Sequence, residues 1–329
     1  MESLLFAINA VMPIILTVLL GYVLKKLGLI SESFAKAANK LVFRVFLPAM
    51  LFLNIYGIGN LAAVNLGYVL YATVFTAVIF LVGALLVMLI TKDAEHRGPL
   101  LQGTFRSNYA LVGIPLATAL FGEEGAIAAS LLSAAIVPTY NILGVISLSL
   151  FHKDGKKVSV REIVLDIVRN PLIISIFVGL VTLLVRKLFV LADIRFRLTD
   201  IAPLYTLLEY LSRVATPMAL LVLGAQFEFS SVSKYKKEIL FATVIRGIVV
   251  PAAGLGIAYA FFRDSFGGAE FASLVAVFAT PVAVSSVAMA QEMKSDTALA
   301  GQIVIFTTIV SAFTVFLATF LLRYLGVLA

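Results

Sequence analysis

Residues 98–125, GPLLQGTFRSNYALVGIPLATALFGEEG, put a guanidinium, a carboxamide and a proline into a stretch apolar enough to enter a bilayer. The run between Arg106 and Glu123 carries no charge and is about as long as a short membrane span. Asn108 lies two helical turns before Pro115, and its amide offers two donors and one acceptor to an anionic or polar ligand. Within Gly113-Ile114-Pro115 the proline removes a backbone donor and crowds the preceding turn. In lipid the carbonyls freed near Leu111 and Val112 need partners, and irregular backbone is tolerated only against protein or a water-filled cavity. Transporters commonly build a substrate site from such a helix, broken at mid-membrane depth. The same kind of stretch recurs at Ala279-Thr280-Pro281. There Thr280, Ser285 and Ser286 supply hydroxyls, and Pro281 frees carbonyls beside a second break. A lone serine in a membrane helix usually bonds its own i−4 carbonyl, so it is the pairing of two such stretches that counts.

Charges inside an apolar chain are costly and face a cavity or a partner. Arg106 and Arg246 fall at the lysine-rich ends of their spans, where either can draw in an organic anion or pair with a headgroup. Arg106, next to the Asn108 region, is the electrostatic candidate. Half-helix N-termini at the breaks add partial positive charge for a carboxylate. Glu209 precedes Arg213 in the favourable acid-then-base i,i+4 order, which reads as a structural pair. Arg44 has no local acid, so it either snorkels or pairs with a carboxylate from another span. His96 and His152 fall in loops, and Glu292 and Asp296 in a solvated turn. No histidine, cysteine or acid pair lies within the spans to serve an enzyme, so no catalytic residue is assigned. No metal site or cofactor is expected.

The elements that must position these groups are membrane helices. Of 329 residues, 61% are hydrophobic and 13% charged, which excludes an ordinary soluble domain. Charge-free runs separate Glu2 from Lys25, Arg44 from Lys92, Glu124 from Lys153 and Asp296 from Arg323, and the second is long enough to cross twice. The expected fold is an all-α polytopic membrane protein, since a β-barrel would show short alternating strands. The net charge of +7 sits between spans and does not signal nucleic acid. With no cysteine, disulfides and thiolate sites are excluded. The start, MESLLFAINAVMP, lacks a basic leader region, so the first span is expected to be retained.

Ten spans are expected, at roughly 5–24, 35–56, 66–90, 98–121, 125–151, 163–190, 202–226, 237–262, 269–291 and 297–324. Loops after the odd-numbered spans hold fourteen lysines and arginines against six on the other side, which places both termini outside and the basic loops in the cytosol. The loop after span 6, with Arg186, Lys187, Arg195 and Arg197, breaks the trend. Prolines suggest duplication: Arg44-x-x-x-Pro48 matches Arg213-x-x-x-Pro217, and Pro48 to Pro115 spans 67 residues where Pro217 to Pro281 spans 64. Five spans per copy is an odd number, so the second copy must be inverted, with spans 4 and 9 broken and meeting near the midplane. The copies are residues 1–151 and 163–329, joined by a short cytosolic loop, 152–162.

The chain resembles the auxin efflux carrier family, which includes plant auxin transporters and many bacterial organic-anion permeases. The residues that carry the likeness are Ser107-Asn108 through Gly113-Ile114-Pro115-Leu116, Asn39-Lys-Leu-Val-Phe with Leu47-Pro48, Arg169-Asn170-Pro171, and Thr216-Pro-Met-Ala-Leu220 with Leu223-Gly-Ala225. Tyr140-Asn141 is similar to an aromatic–Asn pair of the plant members. The long loop of the plant members is absent here, which argues against assuming auxin itself. The resemblance implies crossed helices at spans 4 and 9, a scaffold from spans 1, 2, 6 and 7, homodimers and an elevator-like movement. The fold is then bile acid symporter-like. The function implied is secondary transport of a small organic anion, malate-like, malonate-like or auxin-like, across the cell's inner (plasma) membrane. The expected substrate residues are Asn108, Tyr109, Gly113, Pro115, Tyr140, Asn141, Thr280, Pro281, Ser285 and Ser286, with Arg106 electrostatic. Sodium, protons or the membrane potential alone stay open as the driving force. A membrane sensor that binds ligand without transport is the other reading; no soluble output domain supports it.

Overall fold

A helix satisfies its own polar backbone groups, which an apolar chain in lipid requires. The computed structural model describes residues 2–57, 65–151, 160–227 and 229–328. Apart from one isolated antiparallel bridge, Ser107 with Val282, its regular structure there is helical. The chain runs through α1 (Glu2–Lys26), α2 (Glu32–Leu41), α3 (Leu47–Tyr56), α4 (Leu66–Ile90), α5 (Ala94–Phe105) and α6 (Ile114–Leu150). It continues through α7 (Val160–Arg169), α8 (Pro171–Leu191), α9 (Ala202–Ala225), α10 (Phe229–Lys234), α11 (Lys236–Val244) and α12 (Val250–Phe262). The last three are α13 (Gly268–Phe278), α14 (Ser285–Glu292) and α15 (Thr297–Tyr324).

Among the described residues, seven helical stretches are long and apolar enough to cross a membrane, among them Leu66–Ile90, Pro171–Leu191 and Thr297–Tyr324. α1 adds a helix of 25 residues. The difference from ten expected spans has local causes. The stretch expected at 98–121 is divided: α5 stops at Phe105, and helix resumes only at Tyr109. The stretch expected at 269–291 is divided into α13 and α14. Tyr109–Leu150 counts as one stretch, yet the chain folds back within α6 at Phe121 and at Gly122, whose φ of +60° suits glycine. After that turn Gly125 lies against the Ala117 carbonyl with no room for a Cβ, so the two arms of α6 touch backbone to backbone. The helix expected from 163 also begins later. Asn170 accepts from the Leu172 amide, and Pro171 opens α8 at a first-turn position where its missing N–H costs nothing. The residues before it form the separate α7.

Three wide π-turns occupy Val42–Phe46, Tyr109–Gly113 and Ile245–Val249. Each ends two residues before a proline: Pro48, Pro115 and Pro251. A proline cannot donate to the carbonyl four residues back, and shifting the ladder to i→i−5 bonds carries the helix past the gap. At Pro251 the carbonyl left over, that of Gly247, accepts from the Thr314 hydroxyl at 2.6 Å. Pro115 therefore sits in continuous helix; the interruption lies at Arg106–Asn108, immediately before the π-turn.

α1 packs on α9, α3 on α8 and α9, and α13 on α6. The α1–α9 crossing needs glycine: Gly224 meets the Val18 backbone and Gly21 the Leu221 backbone. α13 is buried from Phe271 to Phe278, while α4 and α8 turn side chains such as Leu81 and Phe177 outward, as lipid contact requires. Arg186 donates to the Tyr56 carbonyl at 2.7 Å and lies over the Tyr56 ring, and Arg197 donates to the Ile194 and Phe196 carbonyls. Two of the four basic residues that break the loop trend are thus held by backbone at helix ends.

Candidate functional site

The two interruptions cross. Arg106 and Ser107 leave α5 in extended conformation, and the Asn108 amide donates to the Pro281 carbonyl at 2.8 Å. The Ser107 hydroxyl lies 2.6 Å from that of Thr280, which itself donates to the Ala276 carbonyl. The Val282 amide donates to the Thr307 hydroxyl of α15 at 3.2 Å. Extended backbone in the middle of a bundle is thereby paired group by group.

Arg246, at the π-turn after α11, closes the crossing. Only 1% exposed, it donates through Nη2 to the Val277 carbonyl at 2.6 Å, through Nε to Thr280 at 3.0 Å and through Nη1 to Phe105 at 3.4 Å. Val277 is the carbonyl that Pro281 leaves without a helical donor. The guanidinium also places its charge at the C-terminal ends of α5 and α13, the negative poles of both. It therefore neither draws in an anion nor meets a headgroup, the two roles expected for it from sequence; its partners are backbone.

Arg106 is bonded differently. Also buried, its Nη1 donates to Gln102 Oε1 at 3.0 Å and to Met289 Sδ at 3.2 Å. Its Nη2 donates to Asn141 Oδ1 and to Ser285 Oγ, both at 3.0 Å. Every one of these acceptors is neutral, and no carboxylate pairs with it among the described residues. A buried cation held only by neutral groups retains its attraction for an anion.

Beside it lies a cavity of about 50 Å³, lined by Arg106, Ser107, Asn108, Tyr140, Asn141 and Ser285 on one side. The facing wall, Leu47, Met50 and Leu51 of α3, Leu172 of α8 and Ala219 of α9, is apolar apart from Thr216. The Asn108 side chain makes no cap bond to its own helix, and the buried Tyr140 hydroxyl has no hydrogen-bond partner. The site thus offers one cation, one carboxamide and one hydroxyl to a ligand, against a greasy wall. It is water-sized: a carboxylic acid needs the walls to part.

The expected residues distribute unevenly. Asn108, Tyr140, Asn141, Ser285 and Arg106 come together on the cavity. Tyr109 borders it, yet its hydroxyl turns away to the Ala129 carbonyl at 2.9 Å. Gly113 packs where a Cβ would meet Tyr109 and the Ala276 carbonyl, a close-approach position. Pro115 shapes the π-turn, and Pro281 and Thr280 build the crossing rather than the wall. Ser286 is buried behind it with an unpartnered hydroxyl. Gln102 and Met289 escaped sequence reasoning, as did the backbone partners of Arg246. Gln102 lies one turn before Arg106, and that i,i+4 spacing is the signal that could have found it.

Other charged groups also moved from their expected places. His96 is in the first turn of α5, not a loop, with Glu238, Asp93 and Asp296 carboxylates at 3.3–3.4 Å. Asp296 is the N-cap of α15, bonded to the Leu299 amide and to the Tyr235 hydroxyl, and is largely buried instead of solvated. Glu292 pairs with Arg44, so of the two expectations for Arg44 the inter-span pair is the one realised. Glu209 and Arg213 lie 3.7 Å apart on an exposed face, as the spacing suggests. His152 lies outside the described residues.

Comparison with known proteins agrees with the resemblance in the motifs. The chain matches the family described as membrane transport protein over residues 6–319. It is 24% identical over 308 residues to an uncharacterized transporter of Methanothermobacter thermautotrophicus, covering 92% of this chain and 94% of that one. It is 27% identical over 251 residues to an uncharacterized transporter of Methanocaldococcus jannaschii, covering 74% and 76%. These are transporters and not enzymes, and with the match running almost end to end, the chain belongs to the auxin efflux carrier family of membrane transport proteins.

Proposed function

We propose that this protein is a secondary carrier for a small organic anion, bound at the crossing by Arg106, Asn108 and Tyr140. The observation that carries this reading is the buried Arg106 guanidinium, held by neutral acceptors alone and bordering a cavity with an uncommitted carboxamide and hydroxyl. The carrier has ten spans in two inverted repeats, 1–151 and 163–329, with the divided fourth and ninth spans crossing. Support comes from the reciprocal packing of α1 on α9 and of α3 on α8, which an exchange of repeats maps onto one another. The crossing, with α6, moves as a body against α1, α3, α8 and α9, and the small size of the cavity favours such a movement because a carboxylic acid does not fit without it. Both termini face outward from the plasma membrane, lysine-rich loops face the cytosol, and the working unit is a homodimer. With the inside negative, the potential favours export of an anion by ~2.3 kcal/mol per charge per 100 mV.

The test is a thermal-shift screen of purified protein against dicarboxylates, monocarboxylates, indole-3-acetate and sodium. A ligand that binds only the folded state raises the melting temperature by mass action. The expected result is a shift with a carboxylate that is lost in Arg106→Gln and Asn108→Ala, together with loss of carboxylate flux in proteoliposomes. A carboxylate shift that survives both substitutions overturns the site assignment. A ligand-dependent shift with no flux would favour the sensor reading.

A further inference from the structure

A second, larger cleft of about 440 Å³ opens beside the first and is lined by Phe43, Arg44, Asp166, Arg169, Glu292 and neighbours. α8 and α14 line both spaces, and the π-turn on the cleft runs directly into α3 of the inner cavity. Leu47 of the inner cavity follows Arg44 by one turn, Leu172 adjoins Pro171, and Ser285 precedes Glu292 by two turns of α14, ~10 Å along its axis. Among the described residues, these elements frame a route from the cleft inward between α3, α8 and α14. On the cleft lining, Arg44 and Glu292 form an ion pair that joins the π-turn before α3 to the end of α14. Gln291 reinforces the contact by accepting from Gln226 at 3.1 Å, next to α9. Arg169, at the last turn of α7, is exposed on the cleft and has no hydrogen bond or ion pair among the described residues. Asp166, the acid nearest to it in sequence, accepts from the Ser149 hydroxyl.

We propose that this cleft is the cytosolic vestibule of the anion path, that Arg169 is its receiving charge for a carboxylate, and that the Arg44–Glu292 pair is the gate to the inner cavity. The proposal rests on the carrier reading above. An anion arriving at Arg169 competes with Glu292 for Arg44, and in doing so loosens the gate that stands before Arg106. Arg44 and Glu292 offset each other and Asp166 is turned to the Ser149 hydroxyl, so the preference for carboxylates over cations of the same size rests on Arg169 at the entry and the buried Arg106 beyond.

The native chain contains no cysteine, so a single introduced thiol reports access without background. Leu47→Cys in full-length protein in nanodiscs is labelled with methanethiosulfonate reagents of similar size, one carrying a sulfonate and one a trimethylammonium group. The sulfonate reagent reacts faster relative to its rate with free thiol. Adding Arg169→Gln lowers that rate about two- to threefold, the effect of one charge at ~8 Å in water, and does not slow the cationic reagent. Adding Glu292→Gln speeds both reagents, by about fivefold if the pair has the strength of a well-formed partly exposed bridge. Leu172→Cys, on α8 of the same apolar wall, repeats the measurement should Leu47→Cys fail to fold. Unchanged charge preference in Arg169→Gln overturns the receiving site, and unchanged rates in Glu292→Gln overturn the gate. No labelling of either cysteine in any background overturns the path. Labelling uses no transported substrate, so a carrier reading that fails for want of flux leaves a different signature from a vestibule that fails.

Discussion

Replacing Arg246 by methionine isolates what a single side chain contributes to the crossing. Methionine retains most of the apolar length and removes every donor. Three carbonyls lose a partner, those of Val277, Thr280 and Phe105, at 2.6, 3.0 and 3.4 Å. The third contact is long and is left out of the count. Two buried acceptors left unsatisfied at ~1–3 kcal/mol each give a loss of ~2–6 kcal/mol. Removing a buried charge returns part of this, so ~4 kcal/mol is the working figure, in the range seen when one partner of a buried charged contact is deleted. At ~2 °C or more per kcal/mol for a chain of this size, the melting temperature falls by on the order of 10 °C. The assay is a fluorescence melt in nanodiscs, with Arg213→Met alongside. Arg213 sits 3.7 Å from Glu209 with its side chain 75% exposed, and its loss should cost ~1 kcal/mol or less. Arg246→Lys keeps the charge but cannot present three donors in a fork, so it should melt between wild type and Arg246→Met. If Arg246→Met melts together with Arg213→Met, the crossing does not depend on this guanidinium and the account of its partners is wrong.

Tyr140→Phe removes a buried hydroxyl that has no partner. The melting temperature should hold or rise, while flux of the carboxylate found in the screen falls through a higher KM; a lower melting temperature with unchanged KM would assign the hydroxyl to folding instead. Thr314→Val takes the 2.6 Å donor from the Gly247 carbonyl that Pro251 leaves free. The expected loss is ~1 kcal/mol, typical of a side-chain bond inside a membrane protein, read by the same melt. Gly224→Ala sets a methyl against the Val18 backbone and should separate α1 from α9. It should lower stability more than Gly256→Ala, where the added methyl meets open space, and equal melts for the two would refute the close crossing.

What could be read in the sequence depended on where each residue finds its partners. Asn108 and Arg106 stood out because polar groups in an apolar run are costly, and the structure brings both to the cavity with Tyr140, Asn141 and Ser285. Arg246 was visible as a buried-charge problem but not as a solution. Its acceptors are main-chain carbonyls on two other helices, and a carbonyl looks the same in every residue. His96 was misplaced for a related reason: Asp93, its i−3 neighbour, was in view, but Glu238 and Asp296 reach it only through the fold. The seven long apolar helices fall short of the ten expected spans because the expected fourth and ninth are divided, which leaves α5, α13 and α14 each too short to cross alone.

The prolines give the more general lesson. Pro48, Pro115, Pro251 and Pro281 look alike in sequence, each inside an apolar stretch, and the expectation was that Pro115 and Pro281 both break their helices. Three of the four are absorbed by a π-turn just upstream, which moves the bonding one residue along and keeps the helix whole. Only at Pro281 does the helix open, over Ala279–Val284. There a donor from outside the helix takes the freed carbonyl: the Arg246 guanidinium bonds Val277, and the Asn108 amide bonds the carbonyl of Pro281 itself. A proline thus sets the need for a donor, and the surrounding structure decides whether the helix bends around that need or opens to meet it. The opening at Arg106–Asn108 carries no proline of its own and is held by the opposite strand of the crossing. It follows that the two openings depend on each other. A substitution that closes one, by restoring helix at 279–284, should leave the Asn108 amide without its acceptor and loosen the segment that presents Arg106 to the cavity.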